Sequence, residues 1–167
     1  MDITVDIRIG YGFDVHQFAL DRKLILAGIE IPHEKGLLGH SDADVLLHAV
    51  IDAILGALSW GDIGSWFPDT EEAYRNAKST ELFDWVWDKA LEANWSLGNC
   101  DISLVVEKPR MFPHIAKMKA SLAELFNVDE SLVSIKATTM EKMGFIGREE
   151  GMSASAVVLL KKIPEQN

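Results

Sequence analysis

Three residues stand out for the chemistry their types and spacing allow. Asp14 and His16 lie two positions apart in Gly12-Phe13-Asp14-Val15-His16, so an extended chain projects both from one face. His48 lies in GLLGHSDADVLLHAVIDAILGAL (36–58), which reads as a loop followed by one amphipathic helix. On that helix Asp44, His48 and Asp52 stand at i, i+4 and i+8. They edge an apolar stripe made by Val45, Leu46, Ala49, Val50, Ala53, Ile54 and Ala57. Zinc accepts imidazole and carboxylate ligands, and a catalytic zinc keeps its fourth tetrahedral position for water or substrate. Asp14, His16 and His48 therefore make an Asp-His-His set of the catalytic kind. A D-x-H pair also arises by chance, and His48 taken alone reads equally as a satisfied core histidine beside two solvated aspartates.

The elements that must position these residues follow from periodicity. Residues 5–11 alternate as a first strand leading to Asp14, and 24–33 form a short hairpin turning near Gly28. A helix over about residues 42–57 takes Ser41 as its N-cap, with Asp44 three positions on. The stretch WGDIGSWFPDTEEAYRN is long for a plain connection and is either functional or mobile. Ser79 caps a second helix with Leu82, Phe83, Val86, Trp87, Ala90 and Leu91 inward and Gly98 beyond its end. A strand over 101–107 precedes a third helix after Pro113, with Ile115, Met118, Leu122 and Leu125 inward. Strands over 132–138 and in SASAVVLLKK close the chain. The expected fold is α+β, a two-layer arrangement of one mixed sheet with about three helices on one face, as a single domain over residues 1–167.

Composition excludes several function classes. A net charge of −10 argues against a nucleic-acid partner, whose binders carry a basic footprint. It also means that any phosphorylated substrate must be met by metal ions, local cations or backbone N–H groups. No apolar run reaches the length of a membrane span. The N-terminus MDITVDIRIG lacks the features of a signal peptide and is acidic, unlike a transit peptide. One cysteine, Cys100, excludes an internal disulfide framework, and it reads as a small buried residue. The expected location is the cytoplasm, or a plastid if a transit peptide has been removed. His33 and His114, each beside a proline, read as surface residues.

Four segments belong together, and two motifs within them, F-D-V-H and G-H-S-D-x-D-x-x-x-H, are specific in combination. GYGFDVHQF, EKGLLGHSDADVLLHAVIDAILGAL, GDIGSWFPDT and KATTMEKMGFIGREEG resemble the 2-C-methyl-D-erythritol 2,4-cyclodiphosphate synthase family, in its order and spacing, from residue 8 to about residue 160. The resemblance implies conversion of a cytidine-diphosphate-linked methylerythritol 2-phosphate into a cyclic diphosphate with release of CMP. It implies zinc on Asp14, His16 and His48, and magnesium or manganese on Glu141. His40 and Ser41 would contact the substrate's phosphate and methylerythritol unit, and Asp62 its hydroxyls, with Asp69 a further substrate contact. Arg110, Met111 and Phe112, with Ala137, Thr138 and Thr139, would hold the cytidine side. His40 and Thr139 would act catalytically, and Asp44 would orient a metal-bound histidine from behind.

The family also implies a homotrimer with active sites between subunits and an axial apolar cavity able to take an isoprenoid diphosphate. Phe13, Phe145 and Arg148 match positions around that cavity, and Phe145 and Arg148 are also substrate-contact candidates. The chain departs from the family pattern in several places. Arg110 replaces a lysine, exchanging a point charge for a planar fork, and Phe112 replaces an aliphatic residue. Ser155 stands where a glutamate is usual, Glu149 where a glycine is common, and Ser65-Trp66 replace the usual pair before FPDT. Two other readings of the same ligands are a zinc-dependent phosphohydrolase and a non-catalytic trimeric module that binds isoprenoid or nucleotide.

Overall fold

Alternation at the N-terminus produces a strand longer than its apolar run alone indicates. The computed structural model describes residues 6–68, 70–74 and 76–164. In it β1 (Ile7–Leu20) runs for 14 residues. It pairs antiparallel with β7 (Gly151–Lys162) from Ile7↔Lys161 to Gln17↔Gly151, then with β4 (Lys35–Leu37) at Phe18↔Leu37. β7 pairs antiparallel with β5 (Trp95–Val105), and β5 pairs parallel with β6 (Val133–Thr138). The sheet order is β4-β1-β7-β5-β6, a mixed sheet. β2 (Leu24–Leu26) and β3 (Ile29–Ile31) make the expected hairpin, which turns through left-handed Ala27 and Gly28.

Three long helices join the sheet in an α+β fold: α1 (Val45–Leu58), α3 (Ser79–Glu92) and α4 (Ile115–Phe126). Two single-turn helices, α2 (Ile63–Trp66) and α5 (Gly144–Gly147), sit in loops. α1 is apolar almost all round, and its incompletely buried residues are His48, Asp52 and Gly56, one stripe at intervals of four. It lies against β1 and β7 where those strands carry the small residues Gly10, Gly12, Ala154 and Ala156 inward. A Cβ on Gly10 would stand 1.7 Å from the Ala53 carbonyl oxygen, and one on Gly12 1.9 Å from that of Ala49. Those two glycines set how closely the helix bearing His48 approaches the strand bearing Asp14 and His16. On the opposite sheet face Ile7, Ile9, Tyr11, Phe13 and Val15 form an exposed apolar row. Among the described residues no helix is long and apolar enough to cross a membrane.

Several local expectations need correction. The N-cap of α1 is Asp44, not Ser41: the Asp44 carboxylate accepts from Leu47 N–H at 3.0 Å, and left-handed Ala43 precedes it. Ser79 does not cap α3; it is the helix's first residue and spends its hydroxyl elsewhere. Leu91 is exposed, because the inward stripe ends at Ala90. β5 begins at Trp95 rather than Asp101, and Gly98 sits inside it at a bulge opposite Leu159, where a Cβ would meet Leu159 Cδ2 at 2.2 Å. The stretch after Trp60 is not a plain loop: it holds α2, begun by an Asp62–Ser65 capping box, and a 3₁₀ turn at Glu72–Tyr74. His33 and His114 are half-buried rather than surface residues, with His33 edge-on to Phe18. Cys100 is buried within β5, and burial pushes its thiol up to about 12.

A candidate metal and substrate site

Strand alternation places Asp14 and His16 on the helix side of β1, and α1 brings His48 to meet them. His16 Nε2 lies 2.9 Å from Asp14 Oδ2, and His48 Nδ1 lies 3.0 Å from the same oxygen. The two ring nitrogens are 3.2 Å apart. Ligands on a tetrahedral zinc with bonds of about 2.0–2.1 Å stand about 3.3 Å from one another, so the three atoms already form the face of such a site. Among the described residues this is the cluster of ligand type.

The donor chemistry fits a cation. His16 Nδ1 lies 2.8 Å from the Leu38 carbonyl oxygen. A carbonyl only accepts, so Nδ1–H donates and the neutral ring turns a bare Nε2 toward Asp14. Burial alone would raise the Asp14 carboxyl, but when the ring nitrogens facing it bear hydrogen, hydrogen bonds and charge from His16 and His48 outweigh that and hold it at about 2. Burial alone would lower His16, but its hydrogen bond to Asp14, with that carboxylate's charge, raises it above its ordinary value. The carboxylate thus stays charged and calls for a positive partner, which a proton supplies weakly and a divalent ion supplies better.

The triad lines a cavity of about 340 Å³ together with His40, Ser41 and Tyr74. His40 is exposed at its wall, and Ser41 is nearly buried, its hydroxyl accepting from Ala43 N–H at 3.1 Å. Behind His48, Nε2 faces Ser79 Oγ at 2.9 Å and Ser41 Oγ at 3.2 Å. Asp44 does not take part: its fully buried carboxylate accepts from Gly28 N–H at 2.7 Å and from Leu47 N–H, so it joins α1 to the hairpin and orients no histidine. Asp52 is likewise structural, accepting from Ile63 N–H at 2.7 Å and so fixing the start of α2. Asp62 caps α2, and Asp69 lies outside the described residues.

The cytidine-side candidates meet in a second cavity of about 180 Å³ lined by Arg110, Phe112, Ala137, Thr138 and Thr139. Phe112 is 90% exposed, whereas Met111 is buried. Glu141 stands in the following turn, outside the triad. Glu141 and Lys142 are both left-handed, and Glu107 holds that turn by accepting from Met140 N–H at 2.9 Å and Lys142 N–H at 3.0 Å. Thr139 Oγ1 accepts from Glu141 N–H and donates to its carboxylate. Phe145 lines a further cavity with His16 and Glu150, and Arg148 forms a forked pair with Glu150. Glu149 has φ of 60°, the region where glycine is most at ease, and Lys108 pairs with its carboxylate at 2.9 Å. Ser155 stands opposite Phe13 in the β1–β7 register.

The residues that sequence reasoning missed are Ser79, Asp42 and Glu107. Their contacts bridge elements distant in sequence, and no local spacing signals them.

The YgbB family model matches residues 7–161. The 2-C-methyl-D-erythritol 2,4-cyclodiphosphate synthase of Listeria monocytogenes serotype 4b is 56% identical over 93% of this chain and 99% of its own length. That of Halalkalibacterium halodurans is 54% identical over the same shares. Among solved structures, the bifunctional IspDF of Campylobacter jejuni superposes with a TM-score of 0.92 at 44% identity over 96% of this chain, which spans 43% of that longer protein. IspF of Plasmodium falciparum, solved as a CDP complex, gives 0.84 at 31% identity over 95% of this chain and 97% of that one. With this match and an intact triad, the chain belongs to the YgbB family of 2-C-methyl-D-erythritol 2,4-cyclodiphosphate synthases.

Proposed function

We propose that this chain cyclises 4-diphosphocytidyl-2-C-methyl-D-erythritol 2-phosphate to 2-C-methyl-D-erythritol 2,4-cyclodiphosphate and releases CMP, a step of the non-mevalonate route to isoprenoid precursors. Zinc on Asp14, His16 and His48 serves the reaction, with magnesium or manganese on Glu141. The observation that carries this reading is the triangle of ligand atoms, 2.9 to 3.2 Å on a side, opening into the cavity in a chain of this family. Held by these residues, the metals would supply Lewis acidity to phosphate oxygens and neutralise the charge of the diphosphate.

The chain's own part is binding and orientation. The substrate's 2-phosphate attacks the β-phosphorus and CMP leaves, so the nucleophile arrives with the substrate and no side chain need supply one. His40 and Ser41, on the triad cavity wall, contact the phosphate and the methylerythritol unit, and Asp62 and Asp69 bind the substrate as well. The Arg110–Phe112 segment and Ala137–Thr139 receive the cytidine side, and His40 and Thr139 steady the transition state. The CDP-bound relative from P. falciparum supports the nucleotide assignment.

Within one chain the cytidine cavity and the triad cavity have separate linings. A homotrimer with sites between subunits brings such parts together. The exposed row Ile7, Ile9, Tyr11, Phe13 and Val15 supports an assembly that covers it.

Turnover in ¹⁸O-enriched water tests the reaction class. Intramolecular attack leaves no solvent oxygen in the cyclic product, whereas a linear phosphate carrying ¹⁸O contradicts the proposal.

Two further outcomes follow from the metal assignments. Glu141→Ala retains zinc but loses about 10²-fold in turnover and much of its magnesium dependence, read by magnesium titration alongside elemental analysis. Magnesium dependence equal to the parent's removes Glu141 from this role. Zinc affinity falls with acidity: zinc must displace the proton that His16 carries below its raised pKa, so each displaced proton weakens binding about tenfold per pH unit in that range. Asp14, held at about 2, stays ionised throughout and adds nothing to that slope. Chelator competition at about pH 6 and about pH 8 reads it, and equal affinities contradict the ligand role of His16.

A further inference from the structure

The far side of the His48 ring carries an arrangement that the ligand set does not explain. Ser79, the first residue of α3, is fully buried and reaches His48 Nε2 at 2.9 Å across 31 residues of chain. Its hydroxyl also stands 2.5 Å from Asp42 Oδ1, and its backbone N–H donates to Asp42 Oδ2 at 3.1 Å. A carboxylate accepts only, so the single Ser79 hydroxyl proton is committed to Asp42. Ser79 Oγ then meets His48 as an acceptor, and Nε2 must bear the hydrogen. A neutral ring protonated at Nε2 is bare at Nδ1, the atom facing Asp14 and His16. Asp42 is itself fixed, its N–H donating to the Ala77 carbonyl at 3.1 Å.

Ser41 Oγ, the other group near Nε2, is farther away at 3.2 Å and already accepts from Ala43 N–H. The two ligand rings are thus held in complementary ways: His16 by a backbone carbonyl on Nδ1, His48 by a hydroxyl backed by a carboxylate on Nε2.

We infer that Ser79 and Asp42 form a positioning pair that fixes the His48 ring with hydrogen on Nε2 and aims Nδ1 at the metal. This inference rests on the metal reading of the triad. Neither residue touches substrate in this assignment; both act through His48. Carboxylate-backed partners of this sort raise the basicity of a ligand imidazole and hold its angle.

The test compares the parent protein with Ser79→Ala and Asp42→Asn. Zinc dissociation constants come from chelator competition, and the His48 Nε2–H proton is followed by NMR on histidine-labelled protein with and without zinc. Thermal unfolding of the metal-free forms identifies a variant that fails to fold, in which case the other variant carries the test. Ser79→Ala is expected to weaken zinc binding about 10- to 100-fold and to lose the Nε2–H signal to solvent exchange. Asp42→Asn keeps a neutral acceptor and falls between Ser79→Ala and the parent, with the Nε2–H signal shifted. A purely structural role would leave that signal in place in any folded variant. Parent-like zinc affinity with an unmoved Nε2–H resonance overturns the positioning pair. A parent protein that binds no zinc overturns the metal reading instead, and the metal-free Nε2–H resonance then decides the pair by itself.

Discussion

Replacing His48 by alanine yields a folded protein that holds no zinc at the triad and turns over about 10³-fold more slowly or worse. The helix survives because alanine is the best helix former, and position 48 lies on the one stripe of α1 that is not fully buried. The site does not survive. Asp14 and His16 remain as two ligands from one strand, too few to hold a tetrahedral ion against the solvent. The Ser79 and Ser41 hydroxyls lose a shared partner next to a cavity that water can enter, so their unmet hydrogen bonds destabilise the fold by only about 1 kcal/mol. Elemental analysis and circular dichroism on one preparation separate loss of metal from loss of fold. Full activity in this variant removes His48 from the site.

The second large effect concerns a residue with no chemistry. Gly12→Ala destabilises the protein by about 3 kcal/mol or more. The new methyl would overlap the Ala49 carbonyl oxygen, which belongs to a helix backbone and cannot rotate away. Relief requires α1 to lift off β1, which opens the contact at Ala53 and draws His48 away from Asp14 and His16. Stability and zinc affinity therefore fall together. Gly56→Ala is the matching control in α1: its methyl meets nothing closer than the Tyr11 carbonyl oxygen at 3.8 Å. That variant gains about 0.5–1 kcal/mol from lower chain entropy. Urea unfolding of both variants checks the pair, and a neutral Gly12→Ala contradicts the close-approach account of this interface.

The triad was legible because its signal is local at both ends. Asp14 and His16 need only strand alternation, and His48 needs only a helix whose apolar stripe it edges. The hairpin at Gly28 and the inward Met118 and Leu122 of α4 were legible for similar reasons of period and punctuation, whereas buried Ala123 and Phe126 replace the half-buried Leu125 as the inner edge of its last turn. The start of α1 was not, because Ser41, Asp42 and Asp44 all have capping side chains. Left-handed Ala43, which moves the start to Asp44, leaves no trace in composition. The start of β5 is also hidden, because Ser96, Gly98 and Asn99 have the composition of a loop, yet β7 pairs with Ser96 and Asn99 on either side of a bulge at Gly98. Ser79 resembled an ordinary cap; only the tertiary approach of α3 to α1 shows its hydroxyl turned to Asp42 and His48. Glu107 fails the same way, since the turn it holds lies more than thirty residues on.

The proposed reaction is a metal-dependent cyclisation at the Asp14–His16–His48 site. Phosphorus NMR of the purified protein with the cytidine-linked 2-phosphate substrate and magnesium tests it most directly, run before and after zinc is stripped by chelator. Cyclic diphosphate and CMP resonances are expected to vanish on stripping and to return with zinc. Linear phosphorylated products, or a cyclic product formed equally well without zinc, would contradict it.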